Sequence, residues 1–97
     1  MIVNTTPEVL PDKLNVWDEN LNKEIFFRNK IAYEISIKRK VPYVNHFDLV
    51  LRNKNFFNYR DHVHFVSHNE YIILAKTLLE ALVQFGIITN KGEIAAH

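Results

Sequence analysis

Val41-Pro42-Tyr43-Val44-Asn45-His46-Phe47 is the stretch whose reading decides the fold. Its β-branched and aromatic residues predict a strand. Pro42 stands at its start, where a residue need not donate to a ladder. Upstream, residues 17–40 read as a helix. Leu21, Ile25, Ala32 and Ile35 recur at intervals of three, four or seven, while Asp18, Glu19 and Lys23 lie off that stripe. The segment ends in Lys38-Arg39-Lys40, which suits the negative end of a helix dipole. Before it, Glu8 to Asn15, following Pro7 and holding Pro11 and Asp12, reads as a loop. Ile2-Val3-Asn4-Thr5-Thr6 reads as a first strand stopped by Pro7. Strand, crossover helix and strand make a βαβ unit, so the expected class is α/β with parallel strands.

Downstream, Asp48 to Val50 is expected to begin a short helix, and Arg52 to Tyr59 reads as a loop. Ser67-His68-Asn69-Glu70 is a capping-box pattern, in which Ser67 caps and Glu70 reaches back. It opens a helix whose apolar face is Tyr71, Leu74, Ala75, Leu78, Leu79, Leu82 and Val83, with Gly86 at the C′ position. Ile87-Ile88-Thr89 is expected to add a short strand or pack on the core, and residues 91–97 to fray. No internal repeat divides the chain, and residues 1–97 read as one domain.

The totals narrow the function. With 97 residues, 47% of them apolar, the chain has the material for a core. A net charge of +1 creates no strong field toward nucleic acid, and no apolar run is long enough to cross a bilayer. The expectation is therefore no nucleic-acid and no membrane partner. The first residues do not form a signal peptide, which leaves a cytoplasmic default. Cysteine is absent, which excludes a thiolate nucleophile and a cysteine zinc site. There are two glycines, Gly86 and Gly92, both near the C-terminus. Phosphate loops, dinucleotide fingerprints and nucleophile elbows need glycine where the chain turns sharply, so none is present and no cofactor is expected.

Chemistry concentrates in Asp61-His62-Val63-His64-Phe65. These residues precede the Ser67 cap, so they form a turn or loop. A tight turn can bring the Asp61 carboxylate onto one ring nitrogen of His64, fixing the tautomer and freeing the other nitrogen to accept a proton. The alternative is that Asp61 caps a local turn and His64 is a surface residue. His46, His62, His64 and His68 do not form a metal pattern: His64 and His68 flank a helix cap and share no helical face, and no His-Glu-x-x-His occurs. The pairs Phe26-Phe27 and Phe56-Phe57 are expected to fill core. A functional reading would make Phe56, Phe57 or Tyr59 a wall of an acyl or sugar pocket.

In order and spacing these segments resemble the C-terminal half of SGNH (GDSL-type) hydrolases. Ile2 to Pro7 resembles the family's strand ending in Thr-Pro. Arg28-Asn29 with Ile31-Ala32 resembles its Asn-bearing helix, and Val41 to Leu49 its strand reading into Asp-Leu. Asp61-His62-Val63-His64 resembles the last block, Asp-x-x-His, and Tyr71, Leu74 and Ala75 the helix after it. The resemblance implies a partial flavodoxin-like α/β/α sandwich and hydrolysis of esters, thioesters or acetylated sugars. It makes His64 the base and Asp61 its orienting acid.

Two departures matter. Glu70 stands where the family often has glycine, and the Gly-Asp-Ser block and the oxyanion Gly and Asn blocks are missing. Ser36, within a helix, and Ser67, at a cap, do not replace the nucleophile. Preorganised electrostatics is usually the largest part of acyl-transfer catalysis, so the isolated chain is expected to be inactive. Two strands and one-sided cover also imply exposed surface that invites a missing N-terminal half or self-association. The competing reading is a small non-catalytic interaction module.

Overall fold

The computed structural model describes residues 1–86, so the expected strand at 87–89 and the tail 91–97 lie outside the described residues. Its elements are β1 (Ile2–Val3), β2 (Val9–Leu10), β3 (Lys13–Trp17), α1 (Glu19–Arg39), β4 (Tyr43–Val44), α2 (His46–Arg52) and α3 (His68–Gln84). β1 and β4 pair in parallel, Ile2 beside Tyr43 and Val3 beside Val44, and α1 lies between them in sequence. The architecture is a small mixed α/β one containing the strand–helix–strand unit.

Three local readings of the sequence need correction. Residues 8–15 are no loop: β2 and β3 form an antiparallel pair, Val9 beside Trp17 and Leu10 beside Lys13, around a Pro11-Asp12 turn. Proline presets the backbone angle such a turn needs, so the same two residues that read as loop punctuation instead join two strands. Trp17 accordingly ends β3, and α1 starts at Glu19, where the Asp18 carboxylate accepts from the Leu21 N–H at 3.1 Å. The strand expected over 41–47 is cut to Tyr43–Val44. Asn45 caps a new helix, its Oδ1 accepting from the Asp48 N–H at 3.0 Å, and His46 is already helical.

The face α1 turns inward is partly polar. Ile25, Asn29 and Ser36 are buried on it, whereas Ile35, assigned to the apolar stripe, is exposed. Asn22 and Asn29 lie seven residues apart, hence on one face. Each makes a two-point bond to the main chain that follows β1. Asn29 Oδ1 accepts from the Thr5 N–H at 3.0 Å, and its Nδ2 donates to the Thr5 carbonyl at 2.9 Å. Asn22 repeats this with Glu8, at 2.8 and 2.9 Å. An amide side chain carries one acceptor and two donors, so it can stand in for a neighbouring strand. The Ser36 hydroxyl donates back to the Tyr33 carbonyl at 2.6 Å.

Phe26 and Phe27 do not fill core; they are 62% and 64% exposed. Two adjacent helical residues lie about 100° apart, and the inward face is already taken by Asn22, Ile25 and Asn29. Phe56 is also exposed, while Phe57 is buried.

The main core lies between the β2–β3 hairpin, α2, residues 57–65 and α3. Val9, Val50, Phe57, Tyr59 and Phe65 are buried there, with Leu14, Trp17, Leu49, Ile73 and Leu74 packed around them. Tyr43 faces α1, donating its hydroxyl to the Asn29 carbonyl at 3.1 Å. Val44, next along the strand, points to the opposite face and borders Thr77 of α3.

Along α3 the inward line runs through Glu70, Ile73, Leu74 and Thr77; the expected face members Tyr71, Ala75 and Leu79 are exposed. Ser67 is the N-cap residue, but its side chain makes no capping bond. Its hydroxyl donates to Glu70 Oε1. Glu70 Oε2 reaches past the cap to the N–H groups of Val66 (3.2 Å) and Asn58 (3.3 Å). Burial pushes the Glu70 carboxyl up, but these donors and its own N–H outweigh it and hold the group below the ordinary range. Gly86 follows α3 with φ +72, as a C′ glycine should.

Candidate functional site

Residues 58–66 double back on themselves. The Val66 N–H donates to the Asn58 carbonyl at 2.9 Å, the Arg60 N–H donates to the His64 carbonyl at 2.7 Å, and Tyr59 bridges Phe65 between them. The root of this small hairpin is anchored in the core. Tyr59 and Phe65 are buried with ring centroids 4.8 Å apart, and the Tyr59 hydroxyl donates to the Pro7 carbonyl. The Phe65 N–H donates to the Tyr71 hydroxyl at 2.9 Å, and the Val9 N–H donates to the His62 carbonyl at 3.2 Å. Alternation along the doubled chain sends Tyr59 and Phe65 inward and leaves the tip, residues 61–64, toward solvent.

At that tip Asp61 does both things the sequence left open. Its Oδ1 accepts from the N–H groups of Val63 (2.9 Å) and His64 (2.8 Å), closing the turn. The carboxylate also meets the His64 ring, with Nδ1 at 2.9 Å from Oδ2 and 3.1 Å from Oδ1. The Val63 N–H, the His64 N–H and then the His64 ring hold the Asp61 carboxyl well below its usual range. An ionised carboxylate only accepts, so Nδ1 carries a proton, and in the neutral ring Nε2 is the nitrogen with the lone pair. The side chains of His64 and Asp61 are 55% and 44% exposed. Water screens such a pair, so its worth lies in geometry rather than in stability.

The other histidines serve different ends. His46 is buried, its Nε2 at 2.8 Å from the Thr77 hydroxyl and 3.1 Å from the Leu74 carbonyl, tying α2 to α3. The Thr77 hydroxyl gives its own proton to Leu74, so the His46 ring donates. His62 and His68 are exposed. Among the described residues no three His, Asp or Glu side chains converge as a metal site would require. Both serines are committed, Ser36 to the Tyr33 carbonyl and Ser67 to Glu70.

Two of the cavities formed by the described residues lie elsewhere. One, of about 530 Å³, opens beyond the C-terminal ends of β1 and β4 beside Asn4, Asn45 and Tyr43. There the Asn4 Nδ2 donates to Asn45 Oδ1 at 2.7 Å and to the Tyr43 hydroxyl at 2.9 Å, and its Oδ1 accepts from the Phe47 N–H at 2.9 Å. The other, of about 480 Å³, lies between β3 and residues 54–59 and includes Trp17 and Lys54. Neither of these two cavities is lined by Asp61 or His64. The asparagine network escaped the sequence reading, as did Trp17 and Lys54; of the aromatic residues offered there as pocket walls, Phe57 and Tyr59 line the second cavity and Phe56 does not. Asn45 three residues before Asp48 was a usable cap signal; nothing local joined Trp17 to Lys54. Comparison of the chain with protein-family models, curated proteins and solved structures finds no match.

Proposed function

We propose that Asp61 and His64 are the orienting acid and the base of an SGNH-type acyl-ester hydrolase, of whose domain this chain is the C-terminal portion. One observation carries the reading: the 2.9 Å contact between Asp61 Oδ2 and His64 Nδ1, which leaves Nε2 toward solvent. That is the arrangement in which an imidazole takes a proton from a hydroxyl and later returns it to a leaving group, while the carboxylate steadies the imidazolium. The turn that makes it is anchored at its root by the buried Tyr59 and Phe65.

The missing nucleophile is central to the proposal. Neither serine is available, so the Ser that His64 would activate and the donors for the oxyanion belong to a complementary segment. That segment would also extend the two-stranded β1–β4 sheet toward a flavodoxin-like α/β/α sandwich. Two parallel strands are marginal alone, which supports the need for it. The substrates are esters, including acetylated sugars.

The test is turnover of p-nitrophenyl acetate. The chain alone should give none beyond free imidazole. Adding the polypeptide that bears the Gly-Asp-Ser and oxyanion blocks should produce turnover that His64→Ala removes. Turnover by the pure chain that survives Ser36→Ala with Ser67→Ala, or turnover of the mixture indifferent to His64→Ala, would refute the proposal.

A second reading, a non-catalytic interaction module, is favoured by the apolar residues α1 leaves in solvent: Phe26, Phe27, Ile31, Ile35 and Ile37. A stable monomer whose partner binding persists in His64→Ala would support it.

A further inference from the structure

The cavity beside Trp17 has a composition the dyad does not explain. At about 480 Å³ it falls within the ~300–1,000 Å³ span of small-ligand sites. Its aromatic floor is Trp17, with the Tyr59 ring edge-on at 6.0 Å. The Tyr59 hydroxyl is already bonded to Pro7, so that residue offers only its ring. Asn15, Asn55, Asn58 and Lys54 line it around that floor, the Asn58 Nδ2 donating to the Phe56 carbonyl at 3.3 Å, and no carboxylate lines the cavity. Asn15, Asn55 and Asn58 are exposed residues. The Lys54 Nζ lies 5.2 Å from the centre of the indole ring.

We propose that this cavity binds an acidic sugar, a hexuronate unit of an oligosaccharide. A pyranose carries C–H groups on its faces and hydroxyls around its edge. An aromatic plane flanked by amides, with Asn15 and Asn55 able to offer donors and an acceptor, complements both. A wholly apolar ligand would strip water from those amides and return nothing.

Lys54 selects the charge. A ring stacking on Trp17 takes the position the ammonium now holds. A neutral sugar therefore costs the protein its cation–π contact, while a uronate gives the displaced ammonium a carboxylate. The flexible four-carbon stem of lysine permits that move. A nucleobase would also stack on the indole, but one lysine and a chain charge of +1 are a poor match for a phosphate backbone. The proposal uses neither Asp61 nor His64 and stands apart from the hydrolase reading.

Trp17 is the sole tryptophan, so the emission of the full chain reports on this cavity. Fluorescence titration at low ionic strength with trisaccharides of galacturonate, mannuronate and glucuronate, with maltotriose as neutral control and AMP as base control, tests the proposal. At least one uronate should give a saturable change with affinity about fivefold above that of maltotriose, a gap of ~1 kcal/mol. Lys54→Gln should bring the two sugars together. Asn55→Ala should weaken the uronate with circular dichroism unchanged. No saturable response to any uronate at millimolar concentration, equal affinity for maltotriose in the parent, indifference to both variants, or tighter binding of AMP would each overturn the proposal.

Discussion

Replacing Asn29 by alanine isolates the device that holds the chain after β1. The Asn29 amide is buried and exchanges two bonds with Thr5, at 3.0 and 2.9 Å. Truncation removes both and leaves a main-chain donor and acceptor facing the helix. A lost hydrogen bond costs about 1 kcal/mol net, and an unsatisfied buried group about 1–3, so the expected loss is about 2–3 kcal/mol. A domain of this length has roughly 5–15 kcal/mol in all, so the change is a large share of it. At ~4–8 °C per kcal/mol, the midpoint should fall by roughly 10–20 °C.

Asn29→Asp sharpens the test. It keeps an acceptor for the Thr5 N–H but points a carboxylate at the Thr5 carbonyl. Its penalty should match that of alanine at neutral pH and shrink on acidification, when the protonated acid can donate. Asn22→Ala should cost less because the Asn22 side chain is itself only half-buried, whereas Asn29 is buried. The assay is urea and thermal unfolding of the full chain followed by circular dichroism. An Asn29→Ala variant within about 0.5 kcal/mol of the parent would refute the reasoning, since surface substitutions commonly fall in that range. So would an Asn29→Asp variant as stable as the parent at pH 7.

Other outcomes follow from the same structure. Burial lowers the His46 pKa, only partly opposed by its bond to the Leu74 carbonyl. The unfolded ring therefore binds protons first; its contribution is whole above the ordinary value of 6.5 and is lost as pH falls below it, so His46→Gln should flatten the fall in unfolding midpoint between pH 7 and 5. Glu70→Ala should cost about 1–3 kcal/mol by stranding the Asn58 N–H, the Val66 N–H keeping its bond to the Asn58 carbonyl, whereas Glu70→Gln, which keeps an acceptor, should cost distinctly less in the same urea assay. In nitrogen-15 spectra of the imidazole, parent His64 should be the Nδ1–H tautomer when neutral, and Asp61→Ala should return it to the mixture of an unconstrained ring. Phe27→Ser should change stability by less than about 0.5 kcal/mol and lower any self-association seen by analytical ultracentrifugation, whereas Phe26→Ser also gives up an edge-on contact with Phe47 and should cost about 0.5–1.5 kcal/mol.

The sequence was most legible where one local rule acted alone. Gly86 and the helix after Ser67 follow from short-range patterns, and the parallel pairing of residues 2–3 with 43–44 from the order strand, helix, strand. It misled where one residue type serves two purposes. Pro11 and Asp12 mark a loop or a hairpin turn alike, and only the pairing of Val9 with Trp17 decides. Asn45 reads as a strand residue until its carboxamide is seen at the Asp48 N–H. The inward face of α1 was obscured because asparagine carries no hydrophobic signal, although Asn22 and Asn29 bond more specifically than a leucine would. The Asp61–His64 contact was legible because both partners lie within one turn. Of the Trp17 cavity only the Phe57 and Tyr59 side was offered by the sequence, since Trp17 joins it from a segment nearly forty residues away.

Asn22 and Asn29 of α1 grip peptide groups and ignore what those peptides carry. Positions 5 and 8 should consequently tolerate almost any replacement in a saturation library, whatever its size or charge. Proline is the exception, because each site must keep the N–H that the helix accepts. A scan of this segment should thus return a nearly blank profile with a single forbidden letter at each position, the opposite of what a packed core would yield.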